Sequence, residues 1–305
     1  MTSQVVGLAE AVGLPFTRKH VVLRAPWRWL PGPICLGVLH GLDRQSDPLT
    51  PPWPRLLISC GRRSALVARA IRRASGGATF CVHVQDPQIS PTHFDLVVPP
   101  RHDGLSGANV LPTRGALHRV TADKLAAARE RFAALFATLP RPWFAVLLGG
   151  SNRTCRFDPE RATTFGHQLA ESARTHGAGL IITPSRRTEA ASLEALRATL
   201  IGVPHHLWDG TGENPYFGLL ALADHLVVTG DSVSMVSEAC STGKPVHILH
   251  LPGYSRRLQR FHDELQEEGA TRPFDGQLVS MDYEPVDDTP RIAAEIRRRL
   301  ALPAA

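Results

Sequence analysis

Short apolar, β-branched runs alternate along the chain with longer stretches whose apolar positions recur every three to four residues. These are the two periods expected of buried strands and amphipathic helices. In the first half the pattern predicts helix 2–12, strands 21–25 and 55–60, helix 62–75, and strands 79–85, 94–99 and 109–113. Residues 26–54, rich in proline and tryptophan, read as a loop. A helix over 121–139 leads to Leu139-Pro140-Arg141-Pro142, which reads as a linker. The second half is more regular: strand 143–148, helix 158–176, strand 179–183, helix 188–200, strand 205–208, helix 215–223, strand 225–229, helix 232–241, strand 245–250, helix 255–268, and a last helix from about 289 to 301.

Strands such as Ala145-Val146-Leu147-Leu148 are apolar throughout, as parallel strands covered on both faces are. Alternating β and α units then imply an α/β protein with two doubly wound, Rossmann-like domains, 1–140 and 141–288, facing a cleft where ligands gather. The helix from 289 is expected to pack back on the first domain. Composition agrees with a globular chain: of 305 residues, 43% are hydrophobic and 20% charged. No apolar run approaches the roughly 18 residues needed to cross a bilayer, and the first helix lacks a basic leader. The five cysteines, Cys35, Cys60, Cys81, Cys155 and Cys240, stand far apart without a Cys-x-x-Cys, which points to a reducing, cytoplasmic setting. The net charge of +6 comes almost wholly from arginine, since the lysines are only Lys19, Lys124 and Lys244. Arginine suits forked recognition of phosphate. No nucleic-acid motif accompanies it. An anionic inner-membrane surface, at about 1 kcal/mol per well-placed basic residue, is the other outlet for this charge.

The densest chemistry lies in His225–Leu249, HLVVTGDSVSMVSEACSTGKPVHIL. Leu226-Val227-Val228-Thr229 is a strand; Gly230 permits a turn and Ser232 can cap the next helix, exposing amides near Met235 to an anion. Ser234 and Glu238 share a helix face at i, i+4. A phosphate at the helix start would then have a carboxylate about a turn and a half along, placed to accept both ribose hydroxyls. Such charged hydrogen bonds contribute roughly 1.5–3 kcal/mol each. Asp231 would repel a phosphate, so it is expected to cap or to face a sugar hydroxyl. The bland alternative makes Glu238 a surface residue of an ordinary αβ unit. Gly243-Lys244 is not a P-loop, because proline follows and the upstream glycine is missing.

The stretch resembles the ribose-diphosphate segment of glycosyltransferase-B enzymes and of the non-hydrolysing UDP-N-acetylglucosamine 2-epimerases that share their fold. From Gln4 to the C-terminus the chain resembles more closely the family of the plant mitochondrial-fission factor named for "elongated mitochondria", which has many proteobacterial members. The likeness rests on GLAEAVGLP, CGRRSALVARAIRR, VQDPQ, FDLVVPPRHDG, NVLPTRGALHRV, LLGGSN, TPSRRT, WDGTGENPYFGLLALAD and the stretch above. Family members usually begin with a strand and a glycine-rich loop before the helix that holds Gln4. This chain starts inside that loop, so either its first domain lacks that strand or the true start lies upstream of Met1.

Other loops extend the nucleotide reading. Gly149-Gly150-Ser151-Asn152 resembles a loop that lets backbone approach a diphosphate. Ser185-Arg186-Arg187 places two cations where a helix dipole disfavours them, a misfit that an anion would relieve. Leu207 and Trp208 are expected to line a base, with Asn214, which caps the next helix, and Tyr216 near the phosphates. In the first domain Gly61, Arg62 and Arg63 repeat the strand-end logic on the acceptor side. Asp86 is the preferred catalytic base among Asp86, His83, His93, Asp103 and His118. No metal motif and no resident cofactor are expected. Three functions remain open: a metal-independent, nucleotide-sugar-using glycosyltransferase with a cell-envelope acceptor, a nucleoside-diphosphate-sugar epimerase, and a non-catalytic adaptor that keeps the fold.

Overall fold

The computed structural model describes residues 2–30, 37–152 and 154–302; Cys35 and Arg153 lie outside them. In chain order the first elements are α1 (Thr2–Val12), β1 (Leu56–Cys60), α2 (Arg62–Ala74), β2 (Phe80–Val84), β3 (Leu96–Val98) and α3 (Ala122–Phe136). Then come β4 (Trp143–Leu148), α4 (Pro159–His176), β5 (Gly179–Pro184), α5 (Ala190–Thr199), β6 (His205–Leu207) and α6 (Tyr216–Leu222). The last are β7 (His225–Thr229), α7 (Val233–Cys240), β8 (Val246–Leu249), α8 (Arg256–Glu267), β9 (Arg272–Pro273) and α9 (Thr289–Arg299).

Two compact units result. The first runs to Arg119 and resumes at Asp288; the second is Val120–Asp287. The chain therefore changes unit at Arg119–Val120 rather than at the proline-rich 139–142, which instead carries α3 into β4 inside the second unit. The physical reason is packing: α3 lies against α6, where the ring of Phe132 fills the space a Cβ on Gly218 would take.

The first unit holds a parallel sheet in the order β1-β2-β3, with Leu56 opposite Phe80 and Val82 opposite Leu96. Its core joins Val82, Val84, Leu96 and Val98 to Leu8 and Val12 of α1 and to Ile292, Ile296 and Leu300 from the C-terminal segment. Two expected strands do not form. Segment 21–25 makes one isolated antiparallel bridge, Leu23 to Leu42, before Pro26 removes a donor. Segment 109–113 runs beside β3 but bridges it only at Val97–Val110 and Pro100–Thr113, because prolines at 99, 100 and 112 interrupt the ladder.

The second unit is a six-stranded parallel sheet, β6-β5-β4-β7-β8-β9, in which every residue of β4 is buried. Its core is continuous from Val120 to Val286 and includes Phe157, Phe165 and Phe274 in edge-on contact. The short β9 was not foreseen, since two residues carry no period. Among the described residues, no helix is long and apolar enough to cross a membrane.

Candidate functional site

In the second sheet the strand order reverses beside β4: β5 and β6 lie on one side, β7 and β8 on the other. Loops at the carboxyl ends of strands around such a switch point are where open parallel sheets hold ligands. The loops after β4, β5 and β7 meet there in one hydrogen-bonded network. Thr229, the last residue of β7, accepts the Gly149 amide at 2.6 Å through its hydroxyl, which donates to Asp231 Oδ1 at 2.8 Å. Asp231 Oδ2 accepts from the Gly150 amide at 3.3 Å and pairs with the Arg187 guanidinium at 2.8 Å. Thr188 donates to the Gly149 carbonyl, and the Ser185 hydroxyl accepts from the Arg187 amide at 3.2 Å.

This network corrects two expectations. Asp231 neither caps α7 nor stands free for a sugar: its side chain has 0% exposure and ties three loops together. Ser232 is the cap, accepting from the Met235 amide at 3.4 Å. The glycines also have a reason inside the protein. A Cβ on Gly149 would stand 1.9 Å from Asp231 Oδ1, and one on Gly150 would stand 1.9 Å from the Arg187 carbonyl oxygen. The arginine misfit is likewise reduced, because α5 starts only at Ala190 and Arg187 has Asp231 as counter-charge. Arg186 remains an exposed cation. Ser151 accepts the Phe157 amide at 3.2 Å, and Asn152 Oδ1 accepts the amides of Thr154 and Cys155 at 2.9 Å, so both hold the loop's own shape.

A second group forms where α6 meets α7. The Tyr216 hydroxyl donates to Glu238 Oε2 at 2.5 Å. Burial pushes the Glu238 carboxyl above its usual range, against the lowering effect of that hydrogen bond. Burial, with the Glu238 charge alongside, pushes the Tyr216 hydroxyl well up. Among the described residues no cation pairs with Glu238, and Oε1 has no protein partner. Asn214 accepts from the Tyr216 amide at 2.9 Å, although the helix proper begins one residue later than expected. Its Oδ1 also lies 3.5 Å from the Thr183 hydroxyl of β5, which links this group to the sheet edge. Leu207 packs on the core, while the partly exposed Trp208 donates its indole N–H to the Thr211 carbonyl at 2.8 Å.

Several participants were not legible. Gly230 is glycine because a Cβ would meet the Tyr254 hydroxyl at 1.9 Å and His262 Nε2 at 3.0 Å. His262 donates to the Gly230 carbonyl at 2.8 Å, stacks on Tyr254, and is lowered by burial to about 4. These residues lie on α8 and the loop before it, and no local motif announces them. Lys244 donates to the Ala221 and Ala223 carbonyls, each at 2.7 Å, and so closes the end of α6. A surface cavity of about 400 Å³ in this unit is lined by Thr154, Arg156, Asp158, Arg161 and Gly253 among others, none of them singled out by sequence.

In the first unit Gly61 precedes α2 with no side-chain cap, and Arg62 and Arg63 are exposed on its first turn. Asp86 accepts from the backbone amide of Gln88 at 2.8 Å and from its side chain at 2.5 Å. Gln85 and Gln88, flanking it, both take positive φ, 76° and 58°, a backbone cost concentrated at functional loops. His83 is 0% exposed and bonded to Ser59 at 2.8 Å; burial lowers it to about 4. His118 is also buried, Asp103 sits beside His102 at 3.7 Å, and His93 is lowered by burial and three arginines.

A family model described as "Mitochondrial fission ELM1" matches residues 1–300. The mitochondrial fission protein ELM1 of Arabidopsis thaliana is 34% identical over 275 residues, 81% of this chain; the aligned part spans 64% of that protein, less than two thirds of it. Among solved structures, UDP-GlcNAc 2-epimerase from Methanocaldococcus jannaschii matches with a TM-score of 0.57 at 14% identity, over 81% of this chain and 77% of the enzyme. The complex of that enzyme with UDP-GlcNAc and UDP gives a TM-score of 0.51 at 13% identity, over 81% and 76%. At such identities the likeness establishes the fold, two parallel α/β units of the glycosyltransferase-B type.

Proposed function

We propose, starting from the fact that the chain belongs to the Mitochondrial fission ELM1 family, that its second unit binds a nucleoside diphosphate carrying a sugar. The observation that carries this is Glu238. A carboxylate kept partly from water without a cation is costly to fold around. Here one oxygen is held by Tyr216 while, among the described residues, the other has no protein partner, which suits a pair of ribose hydroxyls. Ser232, Ser234, Met235 and Gly149–Ser151 would lie along the diphosphate, with Gly230 and Asp231 shaping the turn and Ser185 and Arg186 adding polarity and charge. Arg187 contributes indirectly, by holding Asp231. Leu207, Trp208 and Asn214 would border the base. The epimerase with UDP-GlcNAc and UDP has this fold, which supports the class of ligand.

For activity we propose metal-independent glycosyl transfer to a cell-envelope acceptor. The acceptor oxygen bonds to the anomeric carbon, the bond from that carbon to the diphosphate breaks, and the nucleoside diphosphate leaves. Asp86 would take the acceptor proton, and Gly61, Arg62 and Arg63 would hold the acceptor. The Arabidopsis relative's name supports a second reading, an adaptor in which the fold serves partners instead of catalysis.

Thermal shift with UDP, GDP and their sugars separates these. A binder gains stability as RT ln(1 + [L]/Kd), and Glu238→Ala should remove that gain. No shift with any nucleotide sinks the binding proposal and leaves the adaptor. Release of free nucleotide only when an envelope lipid extract is added would support transfer; interconversion of the sugar without acceptor would favour epimerisation.

A further inference from the structure

One surface of the first unit carries a different kind of chemistry. Between Gly13 and Leu30 the sequence holds Arg18, Lys19, Arg24 and Arg28 and no aspartate or glutamate. Among the described residues none of these four cations pairs with a carboxylate. Two acids of the loop that follows bond to backbone: Asp43 accepts from the Gln45 amide at 3.0 Å, and Asp47 from the His20 amide at 2.5 Å. The same segment exposes large apolar side chains, Trp29 at 67% and Phe16 at 48%.

This exposure is not that of a loose tail. Leu23 is buried, Trp27 packs against the face of Gly41 where a Cβ would clash, and both join the cluster around Val38, Leu66 and Ile71. Backbone bonds from Arg28 to Arg24 at 3.1 Å and from Trp29 to Pro26 at 2.9 Å make a turn. Trp27 faces inward from that turn and Trp29 outward. The Arg28 guanidinium lies 4.5 Å from the Trp29 ring centroid, so cation and aromatic are presented together. A segment anchored at Leu23 and Trp27 that exposes tryptophan, phenylalanine and cations without carboxylate partners fits a charged interface whose interior is apolar. Trp sits at the headgroup level of bilayers, and basic residues beside it meet anionic headgroups.

We infer that the segment 16–30 docks the protein on an anionic lipid surface, with Trp29 and Phe16 inserted among the headgroups and Arg18, Lys19 and Arg28 paired with lipid phosphates. The inference is independent of the nucleotide site, which lies in the other unit. A single-stranded nucleic acid could also use cations and aromatics, but it needs a groove with successive stacking platforms, and here one ring is outermost.

The test is co-sedimentation of the full chain with phosphatidylcholine vesicles, with and without phosphatidylglycerol. Binding should require phosphatidylglycerol and weaken as salt rises. Arg18→Ala, Lys19→Ala and Arg28→Ala should each lower it about fivefold. Trp29→Ser should weaken it at every salt concentration, with an unchanged melting temperature showing that the variant folds. Equal binding to neutral vesicles, no binding, or full binding by the triple cation variant would overturn the inference. So would an oligonucleotide that binds through these same residues while vesicles do not.

Discussion

Glu238 carries a folding cost that the proposed ligand would relieve. Its folded-state carboxyl is raised by burial, so its ionised form is less favourable in the folded chain than in the unfolded one. The contribution to stability is therefore fully present below the ordinary carboxylate range and is lost as pH rises through the raised value. At neutral pH Glu238→Gln should stabilise the ligand-free protein by on the order of 0.5–1 kcal/mol in urea denaturation while removing the nucleotide-induced shift. A variant that loses stability and keeps binding would make Glu238 a structural residue. Gly149 gives the opposite signature. Its missing Cβ is the space occupied by the Asp231 carboxylate, so Gly149→Ala should cost about 1–3 kcal/mol with or without nucleotide. Spacing within one helix put Glu238 on α7 from the sequence. The role of Asp231 was hidden because two of its partners, Gly150 and Arg187, come from the loops after β4 and β5, which only the sheet brings beside the end of β7.

Elements were legible where hydrophobic period, breaker residues and length agreed. The regular β4 to α8 region, with apolar strands and glycine or proline between units, is the clearest case. The misses lie where backbone donors are absent: prolines near 26, 99, 100 and 112 leave bridges where alternating apolar residues had implied strands. Element boundaries also hide polar residues inside strands. His247 of β8 is 1% exposed, faces His225 at 3.4 Å, and is lowered to about 4 by burial, then by His225, with Asp275 opposing and Arg272 reinforcing. The unfolded chain takes up a proton near 6.5, the folded chain only near 4, so stability is present above 6.5 and lost as pH falls through 4. Urea melts at pH 7.5 and pH 5 should differ by about 2 kcal/mol from this residue. His247→Gln should reduce that dependence while the share of His83 and His262 remains; an unaltered pH slope would show that His247 does not contribute to it.

At the scale of the molecule, the two units divide the chemistry and the chain. The second unit owns a core that runs from Val120 to Val286 and includes no residue of the first. The first unit is discontinuous: its sheet and α1 are completed by Ile292, Ile296 and Leu300 from beyond Asp287. Removing residues after Asp287 should therefore strip apolar cover from Leu8, Val12 and the first sheet while leaving the second core intact. Several buried aliphatic side chains at roughly 1.5–3 kcal/mol each exceed what a unit of this size can spare. The truncated chain should then lose the first of two melting transitions and keep the other. A fragment of residues 120–287 should likewise melt cooperatively, and it should bind UDP through Glu238 with the same sensitivity to Glu238→Ala. Its boundaries follow from contacts rather than from the proline-rich 139–142, so a fragment begun at 141 should be less stable, having lost α3 and the packing of Phe132 and Phe136 on α6 and β4. If the fragment begun at 141 were as stable as that begun at 120, α3 would not belong to the second unit and the division at Arg119 would be wrong.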